Sequence, residues 1–427
     1  MEVLPCGHAA HAAGTRGCAH LVGERPPDHY GWFSGVGLAY DLLCEGCSKR
    51  DDPRSELIVL CVGCAERVDD YSDLLGWVGR PEVRHRDGPS SPGGEWTSVG
   101  CAVEPVNARC VAPLPGGWLV LAEDGLVEVD GLVEVGDGTR LVAPVSLPVE
   151  PRDHSAEPPR PALHTSSDGR YAAVVTDFGR HGVVVDLVTG TEVMPLDRGD
   201  YRYRHTCFPL AFLGSGSAPV VVTATDWNRL DAFSLPSGRL LTDRVTSWSG
   251  DGPKPEHYLD YFHGALLGSP SGRWLLDDGW VWSPYGVVVV HDVAAWLGGD
   301  VHAVEHGREL AVRDAWTLPI AWLDDRTAVF QPIWKPDRPP VDGVEVHDVV
   351  GGRRLTAFAG PVGRMWGHEG LLYVGTASGL EVWDPVEGAR TAVVEDFTPT
   401  AHNPRTGRFA ELADGRLRTW TPPAPPP

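Results

Sequence analysis

Short runs in which apolar and polar residues alternate fill most of the chain after about position 95, and Gly-, Pro-, Asp- and Ser-rich turns separate them. Alternation with a period of two is typical of a β-strand that buries one face, and turns this closely spaced leave no room for long helices. The clearest example is Leu380–Trp383, which runs directly into the turn Asp384–Gly388. The pattern predicts an all-β fold for this part of the chain.

Two sequence motifs recur along these strands. The first is a turn that ends in Gly-Arg-aromatic and leads into an apolar strand, at Ser166–Tyr171, Ser269–Trp274 and Asn403–Phe409. The second is an apolar strand that enters a turn, in most copies through Asp, at Gly182–Gly190, Leu230–Gly238, Val287–Val293, Gly343–Gly352 and Leu380–Ala389. Strand, Gly turn, strand, turn, strand, Asp turn and strand together predict the four-stranded blade of a β-propeller.

The spacing of these two motifs predicts seven blades. They fall at 105–148, 160–197, 205–246, 257–310, 314–358, 361–394 and 397–421. The last blade has room for only three strands, and a spare strand at 96–103 can pair into it and close the ring. We therefore assign 95–421 to the propeller and expect 422–427, which is rich in proline, to be a disordered tail.

The repeats resemble those of the WD40 superfamily. The resemblance rests on the turns ending in Gly-Arg-aromatic, on the literal Trp383-Asp384 pair and on Gly367-His368, and it covers the segment 95–421.

The N-terminal segment, 1–86, carries paired metal-ligand residues. They are the Cys-x2-Cys pairs Cys44/Cys47 and Cys61/Cys64, and the Cys-x-His pairs Cys6/His8 and Cys18/His20. Two residues between cysteines let both thiolates face one ion, so the first two pairs predict a four-cysteine Zn²⁺ site. The other two predict a second Zn²⁺ site, in which His11 or His29 can replace a ligand. The pairs can also interleave, or the cysteines can be buried free thiols and the histidines part of a flexible tail.

The order strand, Cys pair, strand, Cys pair and helix (Ala65–Trp77) is similar to a zinc ribbon or treble clef. With Gly17–Leu21 in front, the segment also faintly resembles ubiquitin-hydrolase-type zinc fingers, which implies a reader of ubiquitin-like proteins or peptide tails. Four protein ligands leave no open position, so the metal is expected to be structural. The Gly-, Pro- and Ser-rich segment 87–94 is a linker.

The net charge of −22 repels phosphate backbones and the sequence contains no local basic patch to offset it, so we expect no general nucleic-acid binding. The chain has no apolar run of about 18 residues, so we expect no membrane span, and we expect a cytoplasmic protein because no leader is evident. Eight of the nine cysteines precede position 111, and this clustering favours metal over disulfides.

Candidate chemistry on the propeller is sparse. Histidines precede the Gly turns by five residues (His164, His402) or nine (His205, His263), and His368 lies in a later blade. If they converged in the channel they would be similar to the metal sites of lactonase-like propellers, but their unequal registers argue against one ring. No Gly-x-Ser-x-Gly, His-Glu-x-x-His or phosphate-loop motif is present in the sequence.

Aromatic residues crowd the fourth and fifth blades. They are Tyr258, Tyr261, Phe262, Trp274, Trp280, Trp282, Trp296, Trp316, Trp322 and Trp334. The favoured interpretation is that each tryptophan packs between blades, and the other is a binding rim. Tyr201–His205 is the most basic and aromatic cluster and can hold a phosphate or carboxylate.

These observations favour a non-enzymatic interaction scaffold with protein partners, built as a seven-bladed propeller behind a small zinc-binding domain. The alternative is a propeller hydrolase or lyase that acts at the mouth of the central channel. A third hypothesis is that residues 1–86 read a ubiquitin-like protein or a peptide tail.

Overall fold

The computed structural model describes four strands before position 62, the short segment 83–85 and most of the chain from position 93 onward. These residues are 13–18, 29–33, 40–44, 57–61, 83–85, 93–100, 109–130, 139–151, 157–214, 219–246, 248, 251–282, 284–334, 340–413 and 416–423. The predicted helix Ala65–Trp77, residues 87–92 of the predicted linker 87–94 and residues 424–427 lie outside them.

Seven antiparallel four-stranded sheets form the blades, and six of them run in sequence order from the inner to the outer strand. Blade one contains β6 (Cys110–Pro113), β7 (Gly117–Leu121), β8 (Leu126–Asp130) and β9 (Thr139–Ala143). Blade two contains β10 (Arg160–Thr165), β11 (Tyr171–Asp177), β12 (His181–Asp186) and β13 (Thr191–Asp197). Blade three contains β14 (Leu210–Leu213), β15 (Val220–Asp226), β16 (Arg229–Ser234) and β17 (Arg239–Leu240).

The later blades repeat this order. Blade four contains β18 (Phe262–Gly268), β19 (Trp274–Val281), β20 (Tyr285–Asp292) and β21 (Arg308–Arg313). Blade five contains β22 (Ile320–Trp322), β23 (Thr327–Phe330), β24 (Gly343–Asp348) and β25 (Arg353–Ala359). Blade six contains β26 (Arg364–His368), β27 (Leu371–Thr376), β28 (Gly379–Asp384) and β29 (Ala389–Glu395).

Blade seven joins the two ends of the repeat region. It contains β30 (Ala401–His402), β31 (Phe409–Ala413), β32 (Arg416–Thr421) and β5 (Glu95–Gly100). β5 is the outermost strand and pairs antiparallel with β32, with Trp96 opposite Trp420. First strands of neighbouring blades contact each other, as β6 does with β10 and with β30, so they surround a central channel. The predicted all-β, seven-bladed propeller is confirmed.

An arginine–aspartate contact joins the two recurring sequence motifs. In blade two, the Arg170 side chain, from the Gly-Arg turn, donates to Asp186 Oδ2 at 3.0 and 3.2 Å. Asp186 Oδ1 accepts from the backbone N–H of Val188 at 2.9 Å and so also organises the next turn. In blade five the Arg326 guanidinium holds the pKa of Asp348 at about 2. The recurring Arg and Asp are therefore two halves of one contact.

The tight first turn depends on glycine. Gly169 adopts φ 72°, in the left-handed region that side chains with a Cβ rarely adopt, and Gly272 and Gly407 adopt 73° and 70° at the equivalent position. The three copies of Gly-Arg-aromatic therefore share one backbone conformation, which explains why glycine precedes the arginine each time.

Hydrophobic clusters fill the spaces between blades. Tyr171, Phe208 and Val221 pack between blades two and three, and all are buried. Trp383, from the most regular repeat, is fully buried between blades five and six beside Phe358. Each blade thus contributes apolar side chains to both of its neighbours.

Residues 83–85 lie against blade six. The backbone N–H of Arg390 donates to the carbonyl oxygen of Arg84 at 2.9 Å, and His85 and Arg390 form a parallel bridge. Val83 packs on the cluster that contains Trp383. This short segment extends the edge of β29, the outer strand of blade six.

A second sheet precedes the propeller in the sequence. Its strands are β1 (Ala13–Cys18), β2 (His29–Phe33), β3 (Tyr40–Cys44) and β4 (Leu57–Cys61), in the order β2-β3-β1-β4. β1 is parallel to β3 and antiparallel to β4.

A short insertion interrupts blade four between β20 and β21. It begins with the helix α1 (Val293–Leu297), whose N-cap Asp292 accepts from the backbone N–H of Ala295 at 3.1 Å. Trp296 is buried against blade three. In the part of the chain that the structure describes, no helix is both long and apolar enough to cross a membrane.

Candidate functional site

Aromatic side chains from blades three to five gather on the face of the propeller that carries the turns β15–β16 and β19–β20 and the loops between blades. We call this set the aromatic surface. Its members are Tyr201, Trp227, Trp248, Tyr258, Phe262, Trp280, Trp282 and Trp316.

A continuous stack runs through the middle of the aromatic surface. Trp316 stacks on Trp280 with ring centroids 4.8 Å apart, and Trp280 stacks on Phe262 at 4.0 Å. Phe262 contacts Trp227 at 4.5 Å, and Trp227 meets Tyr258 edge-on at 6.4 Å. Offset and edge-on pairs of this kind add about 0.5–1.5 kcal/mol each beyond the area that they bury. The stack therefore forms a rigid apolar floor.

Large aromatic side chains remain exposed above this floor. Phe262 and Trp280 are each only 3% exposed, but Trp282 is 50%, Tyr201 is 47% and Trp248 is 38% exposed. Trp282 touches the floor edge-on, with its ring centroid 5.2 Å from that of Trp280. Exposed tryptophan and tyrosine on a packed base are the residue types that dominate binding hot spots.

Arg202 lies between two of these exposed rings. Its guanidinium carbon is 5.0 Å from the Trp282 ring centroid and 6.0 Å from that of Tyr201. Arg202 Nη1 lies 3.4 Å from His205 Nε2, and no carboxylate of the described residues is within ion-pair distance of it. A cation held on aromatic faces without an acid partner is available to a carboxylate from another molecule.

Lys254 repeats this arrangement at the far end of the aromatic surface. Its ammonium nitrogen is 4.2 Å from the Tyr258 ring centroid and 5.4 Å from that of Trp248. Asp260 Oδ2 lies 3.4 Å from the Lys254 nitrogen, and both side chains are about half exposed. Two cations thus flank the exposed aromatic residues.

Arg198 positions the loop that carries Tyr201 and Arg202. It is buried, and it donates to the carbonyl oxygens of Gly179, Tyr203, Thr206 and Cys207 and to the Thr206 hydroxyl. Burial lowers the pKa of the guanidinium to about 10, so it remains charged at neutral pH. One arginine therefore holds both ends of the loop 198–207 in place.

Backbone strain marks two loops of this face. Arg202 adopts φ 59° and Thr317 adopts φ 61°, both in the left-handed region. A β-branched residue is rare there, and such conformations persist where surrounding contacts impose them. Next to Thr317, the Trp316 indole N–H donates to the His205 carbonyl oxygen at 2.5 Å, so the two strained loops are tied together.

A buried charge network lies beneath the aromatic floor. Asp277 Oδ2 is 2.6 Å from His263 Nδ1 and 3.7 Å from His291 Nε2, and Asp277 Oδ1 accepts from the Gly264 N–H at 3.0 Å. Burial alone would raise the pKa of Asp277, but the two histidines outweigh it and hold that pKa at about 2. On the opposite face of β19, Asp278 pairs with the buried Arg313.

The candidate channel histidines separate into two groups. His205 and His263 lie near the starts of β14 and β18, in or beneath the aromatic surface. His164, His368 and His402 lie toward the ends of the first strands of their blades, and the rings of His368 and His402 are 5.1 Å apart. Burial lowers the pKa of His402 to about 3. The structure therefore does not gather the five residues at one point.

Of the eight predicted zinc ligands, three lie within the described strands. Cys18 is the last residue of β1 and Cys44 is the last residue of β3. These strands are parallel neighbours, so both residues lie at the same end of the sheet. Cys61 is the last residue of β4, which is antiparallel to β1, so Cys61 lies at the opposite end of the sheet. The other five are outside the described residues: Cys6, His8, His20, Cys47 and Cys64. Among described residues, no group of three or more His, Cys, Asp or Glu could hold a metal ion.

The aromatic residues of blades four and five divide between the two expected roles. Trp296, Trp322, Trp280 and Tyr261 are buried, as packing between blades requires, whereas Trp282 is half exposed. Trp227, Trp248, Arg198 and Asp277 belong to none of the motifs that recur in the sequence. A signal for Asp277 existed, because two adjacent aspartates interrupt the otherwise apolar strand Trp274–Val281.

Comparison with known proteins gives distant structural likenesses and no sequence match. No family model and no curated protein sequence matches the chain. A chain from the crystal structure of a mitotic checkpoint complex is 12% identical, with a TM-score of 0.46, and the match covers 81% of this chain and 99% of that one. A chain of hydrazine synthase from Kuenenia stuttgartiensis is 15% identical, with a TM-score of 0.48, and the match covers 77% of this chain and 98% of that one. The propeller fold therefore rests on the seven sheets of this structure and not on these likenesses.

Proposed function

We propose that this chain is a non-enzymatic interaction scaffold that binds a protein partner through the aromatic surface. The observation that supports this proposal is the position of Arg202 between the exposed rings of Tyr201 and Trp282. Trp, Tyr and Arg are the residue types enriched in hot spots, and here they lie on a floor that is already packed. Little side-chain ordering would be needed on binding, because the stack beneath them fixes Trp282 and Tyr201.

The chemistry of the aromatic surface defines the expected partner. The exposed rings match an apolar or aromatic side chain, and Arg202 matches a carboxylate beside it. Lys254 is the second cation, about half exposed and shared with Asp260. We therefore expect a protein segment in which acidic residues flank an apolar anchor.

Affinity purification from the native host, with quantitative mass spectrometry, tests this proposal. We expect Trp282→Ala and Arg202→Ala each to reduce recovery of the specific partner at least about tenfold, because loss of a hot-spot side chain costs about 2 kcal/mol or more. Matched controls are Val386→Ala and Arg353→Ala, on the opposite face, which should leave recovery unchanged. Equal recovery by all four variants, with unchanged melting temperatures, would exclude the aromatic surface as the binding site.

We also propose that residues 1–86 bind Zn²⁺ in a structural role, with the ligand pairs interleaved. The strand order supports interleaving, because Cys18 and Cys44 lie at the same end of the sheet. Gly17 pairs with Leu42, so Cys44 is one position beyond the level of Cys18, and His29 lies opposite Cys44. Cys61 lies opposite Ala13, five positions along β1 from Cys18, which corresponds to about 16 Å at the usual rise per residue. Zinc–thiolate bonds of about 2.3 Å require much closer ligands.

Zinc content measured on full-length variants tests which cysteines share an ion. If Cys18 and Cys44 bind the same Zn²⁺, then Cys18→Ser, Cys44→Ser and the double variant should each lose one ion per chain relative to wild type. Cys61→Ser should then lose a different ion, and its loss should add to that of Cys44→Ser. Loss of the same ion by Cys44→Ser and Cys61→Ser would instead establish the paired Cys-x2-Cys site. Wild-type protein without zinc would refute both arrangements.

A further inference from the structure

Basic side chains from three blades lie at one mouth of the central channel, on the same face of the propeller as the aromatic surface. Arg160 is the first residue of β10, Arg364 is the first residue of β26, and Arg109 immediately precedes β6. Because β6, β10 and β26 are the inner strands of blades one, two and six, their first residues lie at the same end of the channel. Three arginines from three blades thus face one opening.

The acidic groups around this opening do not balance the arginines. Arg160 Nε is 3.9 Å from Asp177 Oδ2, and Asp177 Oδ1 is already an acceptor for the Phe208 N–H at 2.8 Å. Arg364 Nη1 donates to the Thr400 carbonyl oxygen at 2.6 Å. In the described part of the chain, neither Arg364 nor Arg109 forms an ion pair with a carboxylate. Glu123 and Glu150 line a pocket together with Arg109 and Arg160, and these carboxylates offset Arg109. Arg160 and Arg364 lie near each other and near Asp177, so this part of the channel mouth is locally positive on a chain whose net charge is −22.

The surroundings of these arginines reinforce the imbalance. Burial lowers the pKa of the Arg364 guanidinium, and the positive charge of Arg160 lowers it further. Two thiols lie in the same cluster: Cys110 Sγ donates to the Pro161 carbonyl oxygen at 3.0 Å, and Cys207 interacts with Arg160. Burial raises the pKa of Cys110 to about 11 and that of Cys207 to about 12, so at neutral pH neither thiol supplies a negative charge.

We propose that this channel mouth binds a small multivalent oxyanion of the phosphate class, held by Arg160 and Arg364 from blades two and six. Each guanidinium offers paired N–H donors that match two oxygens of a tetrahedral anion, and the two guanidiniums together match a di- or trianion better than a single carboxylate. The Arg160 side chain is 56% exposed to solvent, so an anion can reach it from outside. The inference is independent of partner binding at the aromatic surface.

Calorimetry and thermal denaturation with pyrophosphate, at ionic strength fixed with sodium chloride, test the proposal. We expect wild-type protein to give a saturable heat and a rise in melting temperature, because a ligand that binds only the folded state stabilises it. Inorganic phosphate should bind the same place more weakly, because it carries less charge. Arg160→Gln and Arg364→Gln should each weaken pyrophosphate binding at least about tenfold.

Two comparisons make the result decisive. Arg180→Gln removes a comparable arginine that pairs with Asp197 on the surface, and it should bind pyrophosphate like wild type. Without ligand, Arg364→Gln should melt at or above the wild-type temperature, because it removes a desolvated charge that Arg160 repels. No saturable binding by wild type, or equal binding by wild type and both channel variants, would overturn the proposal.

Discussion

Replacing Asp277 by asparagine should lower the free energy of unfolding by about 1–3 kcal/mol at pH 7, the usual cost of leaving a buried hydrogen-bonding group unsatisfied. Asp277 is fully buried in β19, and its carboxylate contacts both His263 and His291. An asparagine has one side-chain oxygen, so it cannot accept from both His263 and the Gly264 N–H, as the two carboxylate oxygens of Asp277 do. Urea denaturation followed by tryptophan fluorescence measures the loss.

Asp197→Asn is the matched control for this substitution. Asp197 also accepts from a basic partner at short distance, with Arg180 Nε 2.6 Å away, but the two side chains are 45% and 36% exposed. Exposed pairs contribute about 0–1 kcal/mol because water screens them. If Asp277→Asn costs no more than Asp197→Asn, the network beneath the aromatic floor contributes nothing particular to stability.

The acid dependence of stability gives a second measurement on the same residue. Since the folded-state pKa of Asp277 is about 2, below the ordinary value of 3.8, the folded protein binds this proton less readily than the unfolded chain. The stability from Asp277 is therefore complete above about pH 4–5 and decreases as the pH falls through about 2. The difference in stability between wild type and Asp277→Asn should shrink over that range, whereas a difference independent of pH would contradict the assigned pKa.

The propeller could be predicted from the sequence because its determinants are local. Blades two, four and seven share a glycine turn with φ near 70°, and blades two, four and five share an arginine–aspartate contact such as Arg170–Asp186, so the same residue types recur at similar spacing. The contacts that build the aromatic surface, in contrast, join residues far apart in the sequence. Trp316 and His205 belong to loops 111 positions apart, and no periodicity in the sequence connects them.

The division of the aromatic residues could not be predicted for a related reason. Trp280 and Trp282 are two positions apart and both follow the same strand pattern, yet one is buried and the other is half exposed. The difference arises because Trp280 is inside β19 and is covered by Phe262 and Trp316, whereas Trp282 follows the end of the strand. Local patterning gives the strand, but only the neighbouring blades decide which ring is covered.

Replacing Arg198 by methionine should release the loop that presents Tyr201 and Arg202. Methionine fills a similar volume but donates no hydrogen bond, so the carbonyl oxygens of Gly179, Thr206 and Cys207 lose their donor in a buried place. Each unsatisfied buried group costs about 1–3 kcal/mol, so the loop should open to solvent rather than remain unpaired. We expect amide hydrogen exchange over 199–207 to accelerate at least about a hundredfold, which corresponds to about 3 kcal/mol.

Two further variants separate this positioning role from a general loss of stability. Arg198→Lys keeps the charge but not the planar fork of donors, so its exchange rates should fall between those of wild type and Arg198→Met. Arg170→Met removes an arginine that is half exposed and pairs with Asp186 on the other face, and it should leave exchange over 199–207 unchanged. If Arg198→Met exchanges like wild type in this loop, Arg198 does not hold it.

The consequence for binding distinguishes a rigid surface from an adaptable one. In Arg198→Met every side chain of the aromatic surface is still present, but Tyr201 and Arg202 no longer have a fixed position over Trp282. If the partner requires the preformed arrangement, its affinity should fall about as far as in Arg202→Ala, because the lost order must be restored on binding. Unchanged affinity, together with accelerated exchange, would mean that the partner itself orders the loop and that Arg202 acts only through its charge.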